Sequence, residues 1–240
     1  MKTIGLIGGM SWESTAIYYE LLNKKVKELL GGFHSAKLLL NSVDFAQIEI
    51  LQRHNDWDGL NKIMIKSAKQ LENAGADLII LCTNTMHLCS EEIIENTSIP
   101  FLHIADATGK QIKTDGLKKV ALLGTKFTME RDFYKNTLLQ YGIKTIIPKE
   151  KDREIIHQII YKELVLGVIK DSSKKELLRI INTLELKGAE GIILGCTEIP
   201  LLIKPDDVSV PIFDTTKIHA ESAIKKALEK QTINPPQTID

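Results

Sequence analysis

Apolar residues along the chain follow two rhythms. Short unbroken runs rich in Ile, Leu and Val occur at 3–7, 37–42, 77–82 and 100–103, and again at 119–123, 143–147, 191–195 and 210–213. Continuous runs suit strands covered on both faces, as in parallel sheets, whereas half-exposed strands alternate. Between them, segments 13–30, 59–74, 129–141 and 173–187 carry apolar residues at helical spacing. In 59–74, for example, Leu60, Ile63, Ala68 and Leu71 share one helix face. Strands alternating with amphipathic helices predict an α/β fold built on doubly wound parallel sheets.

The pattern is also written twice. Lys2-Thr-Ile-Gly-Leu-Ile-Gly8 is matched by Lys118-Lys-Val-Ala-Leu-Leu-Gly124, and LENAGADLIILCTNTMHL (71–88) by LELKGAEGIILGCTEIPL (184–201). Ser98-Ile-Pro-Phe-Leu-His103 is matched by Ser209-Val-Pro-Ile-Phe-Asp214, so three matches stand in one order at separations of 116, 113 and 111 residues. Two pseudo-symmetric α/β domains are expected, one from 1–102 plus 215–240 and one from 103–214. Sites in such sheets lie beyond the carboxyl ends of the strands, which places the expected site in the cleft between the domains. Residues near 102–104 and 214 are the expected hinges for closure on a ligand. The Pro-rich stretch 232–240 is expected to be mobile.

Composition narrows the function. The chain has 240 residues, 43% hydrophobic and 26% charged, which are globular proportions that exclude disordered and fibrous classes. Its 31 basic and 31 acidic residues leave no net positive field for phosphates, so no nucleic-acid partner is expected. No apolar run reaches the ~18–20 residues that cross a bilayer. The first apolar run passes into Gly8-Gly9 without a cleavage site. A cytoplasmic protein away from membranes is the expectation. Three cysteines without a Cys-x-x-Cys pair do not form a disulfide framework, and six scattered histidines without His-Glu-x-x-His predict no metal site. Chemistry is left to thiols, hydroxyls and amides.

Such groups cluster after two strands. Leu81 is followed by Cys82-Thr83-Asn84-Thr85-Met86-His87, and Leu194 by Gly195-Cys196-Thr197-Glu198. Aligning the repeats sets Thr83 opposite Cys196 and Cys82 opposite Gly195. Strand side chains alternate faces, so Cys82 and Thr83 point apart. Cys82 then reads as a small buried hydrophobe and Cys89 as helix packing. Cys196 precedes a helical segment whose free N–H groups are expected to lower a thiol pKa from its usual ~8.5. Gly8-Gly9-Met10 offers close backbone N–H groups to an anion. It lacks both the dinucleotide and the P-loop glycine patterns, so a small carboxylate fits better than a nucleotide. Gln52, Arg53 and Lys162 are candidates for a second carboxylate, and each reads at least as well as solvated surface. His54 and His87 are lone histidines and stay outside the catalytic set.

These residues resemble the aspartate/glutamate racemase family, within the wider Asp/Glu/hydantoin racemase superfamily. The resemblance rests on Ile4-Gly-Leu-Ile-Gly-Gly-Met10, Thr83-Asn84-Thr85 and Gly195-Cys196-Thr197-Glu198, in family order, over residues 2 to about 228. It implies a cofactor-independent enzyme in which two residues on opposite faces of the substrate Cα remove and return its proton. It also implies aspartate or glutamate as substrate, and a homodimer. The usual family pattern is Cys-Asn-Thr in the first half, whereas this chain has Thr83 there and resembles the branch specific for the L-enantiomers. On that resemblance Cys196 is the thiolate base and Thr83 the opposite-face proton donor. A threonine hydroxyl ionises far above neutral pH, so the reverse direction, with Thr83 as base, is expected to be slow. Met10 through its backbone N–H, with Asn84, Thr85 and Thr197, is expected to stabilise charge on the α-carboxylate. Gln52 is expected at the side-chain end of the substrate, with Lys162 a further candidate contact. Two alternatives stay open: a dicarboxylate decarboxylase or cis–trans isomerase of the same superfamily, and a non-catalytic carboxylate-binding protein.

Overall fold

The computed structural model describes residues 1–229; the Pro-rich stretch 232–240 lies outside them. The first half runs β1 (Ile4–Gly8), α1 (Trp12–Leu30), β2 (Leu38–Ser42), α2 (Phe45–Arg53), α3 (Trp57–Asn73), β3 (Leu78–Leu81), a 3-10 turn (Thr85–Cys89) and α4 (Ser90–Glu95). Next come α5 (Ile104–Thr114), β4 (Lys119–Gly124), α6 (Lys126–Glu130), α7 (Asp132–Gln140), β5 (Lys144–Ile146) and α8 (Glu150–Lys162). The chain continues through α9 (Asp171–Leu186), β6 (Ile192–Gly195), α10 (Ile199–Leu202), β7 (Ile212–Asp214) and α11 (Thr215–Leu228). No helix among the described residues is long and apolar enough to cross a membrane.

Both sheets are parallel and share one plan. The first has the order β2-β1-β3, extended by an isolated bridge from Ile79 to Phe101; the second has the order β5-β4-β6-β7. The register repeats as well. Gly5 stands beside Ile79 in the first sheet, and their counterparts Ala121 and Ile192 stand side by side in the second. The apolar runs form strands because they are covered on both faces: every residue of β1, β3 and β6 is buried. On one face of the first sheet Ile4, Leu6, Leu78 and Ile80 pack with Tyr18 and Leu22 of α1 and Ala220, Ala223 and Ile224 of α11. On the other, Ile7, Ile79 and Leu81 pack with Leu60, Met64 and Ala68 of α3. The core of the second sheet takes in Ile104 and Ile112 of α5.

The last helix of each repeat therefore crosses over. α5 follows the first sheet's final bridge and packs in the second core, while α11 follows β7 and packs in the first. Equivalent residues start the two helices. The His103 side chain accepts the Ala105 N–H at 3.1 Å, and the Asp214 side chain accepts the Thr216 N–H at 3.0 Å.

Some expectations change. The stretch 129–141 is not one helix: Arg131 sits in an extended conformation (φ −73°, ψ 149°) between α6 and α7. Segment 100–103 makes only the bridge at Phe101. Helices α2, α5, α8 and α11 were not anticipated from spacing, because short or mixed apolar stripes give a weak period.

Candidate active site

The carboxyl ends of β1, β3 and β6 open on one small cavity, with Met10, Ser11, Phe45, Gln52, Thr83 and Cys196 among its walls. The cavity holds about 30 Å³, room for a water or two and not for an amino acid. It adjoins an outer groove of about 710 Å³, sharing Phe45, Gln52, Tyr161 and Val165 as the partition.

The β1–α1 connection is shaped by glycine. Gly9 has φ +90°, and a Cβ there would lie 2.1 Å from the Val43 carbonyl oxygen, so only glycine fits. Its N–H is already donated to the Thr15 hydroxyl at 2.8 Å. Of the Gly8-Gly9-Met10 run, Gly9 therefore has no free N–H for an anion. The turn instead delivers Ser11, which caps α1 by accepting the Ser14 N–H at 3.2 Å.

Cys196 and Thr83 are both buried at the strand ends, with 7% and 9% of their surface exposed. Around Cys196 the decisive neighbour is Glu198, which is itself buried. Its Oε2 accepts from the Cys196 thiol at 2.9 Å and from the Thr197 hydroxyl at 2.7 Å. Its Oε1 accepts from Ser14 at 2.8 Å and Ser11 at 3.0 Å. Ser14 and Thr197 also touch through their hydroxyls. Burial first, then the charge and hydrogen bond of Glu198, push the Cys196 thiol well above its ordinary range. The expected lowering by helix N–H groups is thereby overturned: the N–H groups of Glu198 and Ile199 do pull it down, but by less. The resting group is a thiol donating to a carboxylate.

On the Thr83 side, Asn84 donates through Nδ2 to the Thr215 hydroxyl at 3.0 Å, and that hydroxyl spends its proton on the Leu194 carbonyl at 2.9 Å. This fixes the amide orientation and leaves the buried Asn84 Oδ1 as an acceptor without a partner. Asn84 thus offers an acceptor beside the second N–H of its amide, the donor expected for a carboxylate. Thr85 bonds the Thr125 hydroxyl across the cleft at 2.9 Å. Thr85 and Glu198 are equivalents in the repeat, and each reaches the helix-capping hydroxyls of the opposite half.

Gln52 lies in the cavity wall, buried, accepting from the Tyr161 hydroxyl at 3.1 Å and donating to Met86 Sδ at 3.2 Å. Arg53 is exposed and paired with Glu49 at 2.6 Å. Lys162 is exposed and lines the outer groove, outside the cavity; its neighbour Tyr161 turns inward instead. His54 is held at the surface by the Ile50 carbonyl at 2.8 Å. Cys82 and Cys89 are buried in the two cores of the first sheet, and burial raises both thiols, Cys89 to about 12. Sequence reasoning missed Ser11, Ser14, Tyr161 and Thr125 and gave Glu198 no role. A signal existed, since Ser11-x-x-Ser14 after one glycine turn is mirrored by Thr125-x-x-Thr128 after the other. Among the described residues no group of three or more His, Cys, Asp or Glu side chains is placed to hold a metal.

The family model for Asp/Glu/hydantoin racemase matches residues 7–223. The chain belongs to the Asp/Glu/hydantoin racemase family. Within it, the chain is 27% identical to the broad specificity amino-acid racemase RacX of Bacillus subtilis, over 95% of this chain and all of that one. The structure of an Asp/Glu racemase candidate from Yersinia pestis is 51% identical, covers 95% of this racemase-family chain and 100% of its own, and superposes with a TM-score of 0.90. An aspartate racemase homologue from Pyrococcus horikoshii OT3 is 40% identical over the same shares, with a TM-score of 0.83. Amino-acid racemase chemistry is thus the family setting in which the cavity is to be understood.

Proposed function

We propose that the protein inverts Cα of aspartate or glutamate without a cofactor, with Cys196 as base on one face and Thr83 as proton donor on the other. One observation carries the reading: these two residues end equivalent strands of the two halves and line one cavity. Glu198 Oε2 takes the thiol proton. The resulting thiolate is held by the Glu198 and Ile199 N–H groups. It removes the Cα proton, and Thr83 delivers its hydroxyl proton to the opposite face. The proton taken by Glu198 then returns, through water, to the Thr83 oxygen, so charge and protons balance over the cycle.

The unpartnered Asn84 Oδ1 suits the substrate ammonium, and Met10, Thr85 and Thr197 remain the contacts for the α-carboxylate. Gln52 and Tyr161 face the side-chain carboxylate, while Lys162 draws anions into the outer groove. Because the cavity has no room for an amino acid, substrate enters when the halves part about the crossings at 102–104 and 214, and chemistry follows closure.

Chiral chromatography of L-aspartate and L-glutamate incubated with the purified protein, with no cofactor added, tests this. D-product that disappears in Cys196→Ser is the expected result. Release of carbon dioxide from a dicarboxylate, or ligand binding without turnover, would favour the alternatives.

A further inference from the structure

Beneath the cavity, three imidazoles meet where the chain crosses from the first half to the second. His87 and His219 are fully buried, and the His87 ring lies 4.7 Å from that of His103 and 5.7 Å from that of His219. Their partners fix the protons. A carbonyl only accepts and a main-chain N–H only donates, so each ring nitrogen's state follows from what it faces. His87 Nδ1 faces the Thr83 carbonyl at 2.8 Å and must carry hydrogen; its Nε2 takes the Ile104 N–H at 3.1 Å and must be bare. His219 Nε2 donates to the Leu102 carbonyl at 2.9 Å, leaving Nδ1 to accept from the Tyr18 hydroxyl at 2.8 Å. The peptide groups on either side of His103 are therefore both held by buried imidazoles. One of those rings continues to the main chain of Thr83.

We infer that His87 is a positioning residue for Thr83: its ring ties the Thr83 carbonyl to the crossing at Ile104, so the Thr83 hydroxyl is aimed at the substrate only while that crossing is clamped. This rests on the assignment of Thr83 and Cys196 to opposite faces of the substrate. The second half has no such device, since the residue equivalent to His87 is Pro200, which has no side-chain donor. Cys196 is steered by Glu198 instead. The two faces of the site are thus held by unrelated groups, and a fault in one leaves the other working.

That independence gives a readout which general loss of structure does not move. In D₂O, abstraction and return at Cys196 exchanges the Cα hydrogen of an L-amino acid, whereas D-product also requires Thr83. His87→Gln keeps an acceptor near the Nε2 position and loses the donor to Thr83. His87→Asn keeps a donor near the Nδ1 position. His87→Gln should raise the ratio of exchange to inversion by roughly tenfold or more, in line with the cost of small misplacements, with exchange itself little changed. His87→Asn should stay near the wild-type ratio. Exchange and inversion falling in equal proportion in His87→Gln would overturn the inference. Imidazole ¹⁵N shifts of the wild-type protein give a second test that needs no variant to fold: a proton found on His87 Nε2 would overturn it equally. Wild-type protein that neither exchanges nor inverts either amino acid defeats the two-residue reading itself, a result distinct from a failure confined to the variants.

Discussion

The Cys196 thiol donates to Glu198 Oε2 at 2.9 Å inside a buried site, so the group proposed as base rests protonated beside the carboxylate proposed to take its proton. The same carboxylate gathers Ser11 and Ser14 from the opposite half. The thiol and the start of α1 are therefore held by one side chain.

Glu198→Gln separates two effects of that carboxylate. Removing its charge takes away one of the causes that hold the thiol high, so the thiolate should form at lower pH than in the wild type. Turnover should nevertheless drop by about 10²–10³-fold, because no group takes the proton and the hydroxyl cradle is mis-set. Ultraviolet titration of the thiolate alongside steady-state rates checks both directions. A variant with an unchanged titration, or with full activity, would remove Glu198 from the mechanism.

With Thr83 as the proposed second group, thermodynamics constrains how a slow reverse direction can show itself. Enantiomers are equal in free energy, so kcat/KM must be the same in both directions. A slow reverse reaction must then appear as a low kcat matched by a low KM for the D-enantiomer. Thr83→Cys supplies a group that ionises nearer neutral pH and should raise kcat on the D-substrate. Progress curves from each pure enantiomer, fitted for kcat and KM separately, decide this.

Acid should unfold the protein through its imidazoles. Burial holds His103 and His219 near a pKa of about 4 and pushes His87 well below its ordinary value, against roughly 6.5 for an unfolded histidine. Between those values the unfolded chain binds protons that the native state refuses, so stability rises with pH across the window. It is complete above about pH 6.5 and is lost as pH falls toward 4, by about 3 kcal/mol for the fully buried His219 alone. Urea midpoints measured from pH 7 to pH 5, above the range of most carboxylates, should fall steadily. A flat profile there would contradict the neutral cluster.

Gly9→Ala should be costly despite its size. The residue would need φ +90° with its Cβ against the Val43 carbonyl, a destabilisation of roughly 1–3 kcal/mol. Because the turn carries Met10 and Ser11, turnover should fall further than stability alone accounts for. Urea unfolding and rate measurements on one preparation compare the two losses.

How much of this was legible beforehand follows from what each residue depends on. Continuous Ile/Leu/Val runs and a near-literal repeat mark the strands and set Thr83 opposite Cys196, since both rest on local pattern. Gln52 is buried and Arg53 is not because Ile48 and Gln52 share one turn of α2, a spacing visible in the sequence. Lys162 lies outside the cavity because α8 turns Ile156, Ile159 and Ile160 into the core, and its last residue then points outward. The direction of the Cys196 shift was hidden for another reason. Helix N–H groups are a local feature, but burial and the placement of Glu198 arise only once two distant segments close on each other. The clamp through His87 was hidden likewise, joining residues that meet only where the chain crosses between its halves.

Proton NMR of L-aspartate and L-glutamate in D₂O, with growth of the D-enantiomer followed in parallel, tests the two-face mechanism most directly. Wild-type protein without cofactor should exchange the Cα hydrogen and form D-product. Thr83→Ala should still exchange the L-substrate and form no D-product, and Cys196→Ser should do neither. Inversion surviving in Thr83→Ala, or exchange surviving in Cys196→Ser, would contradict the account.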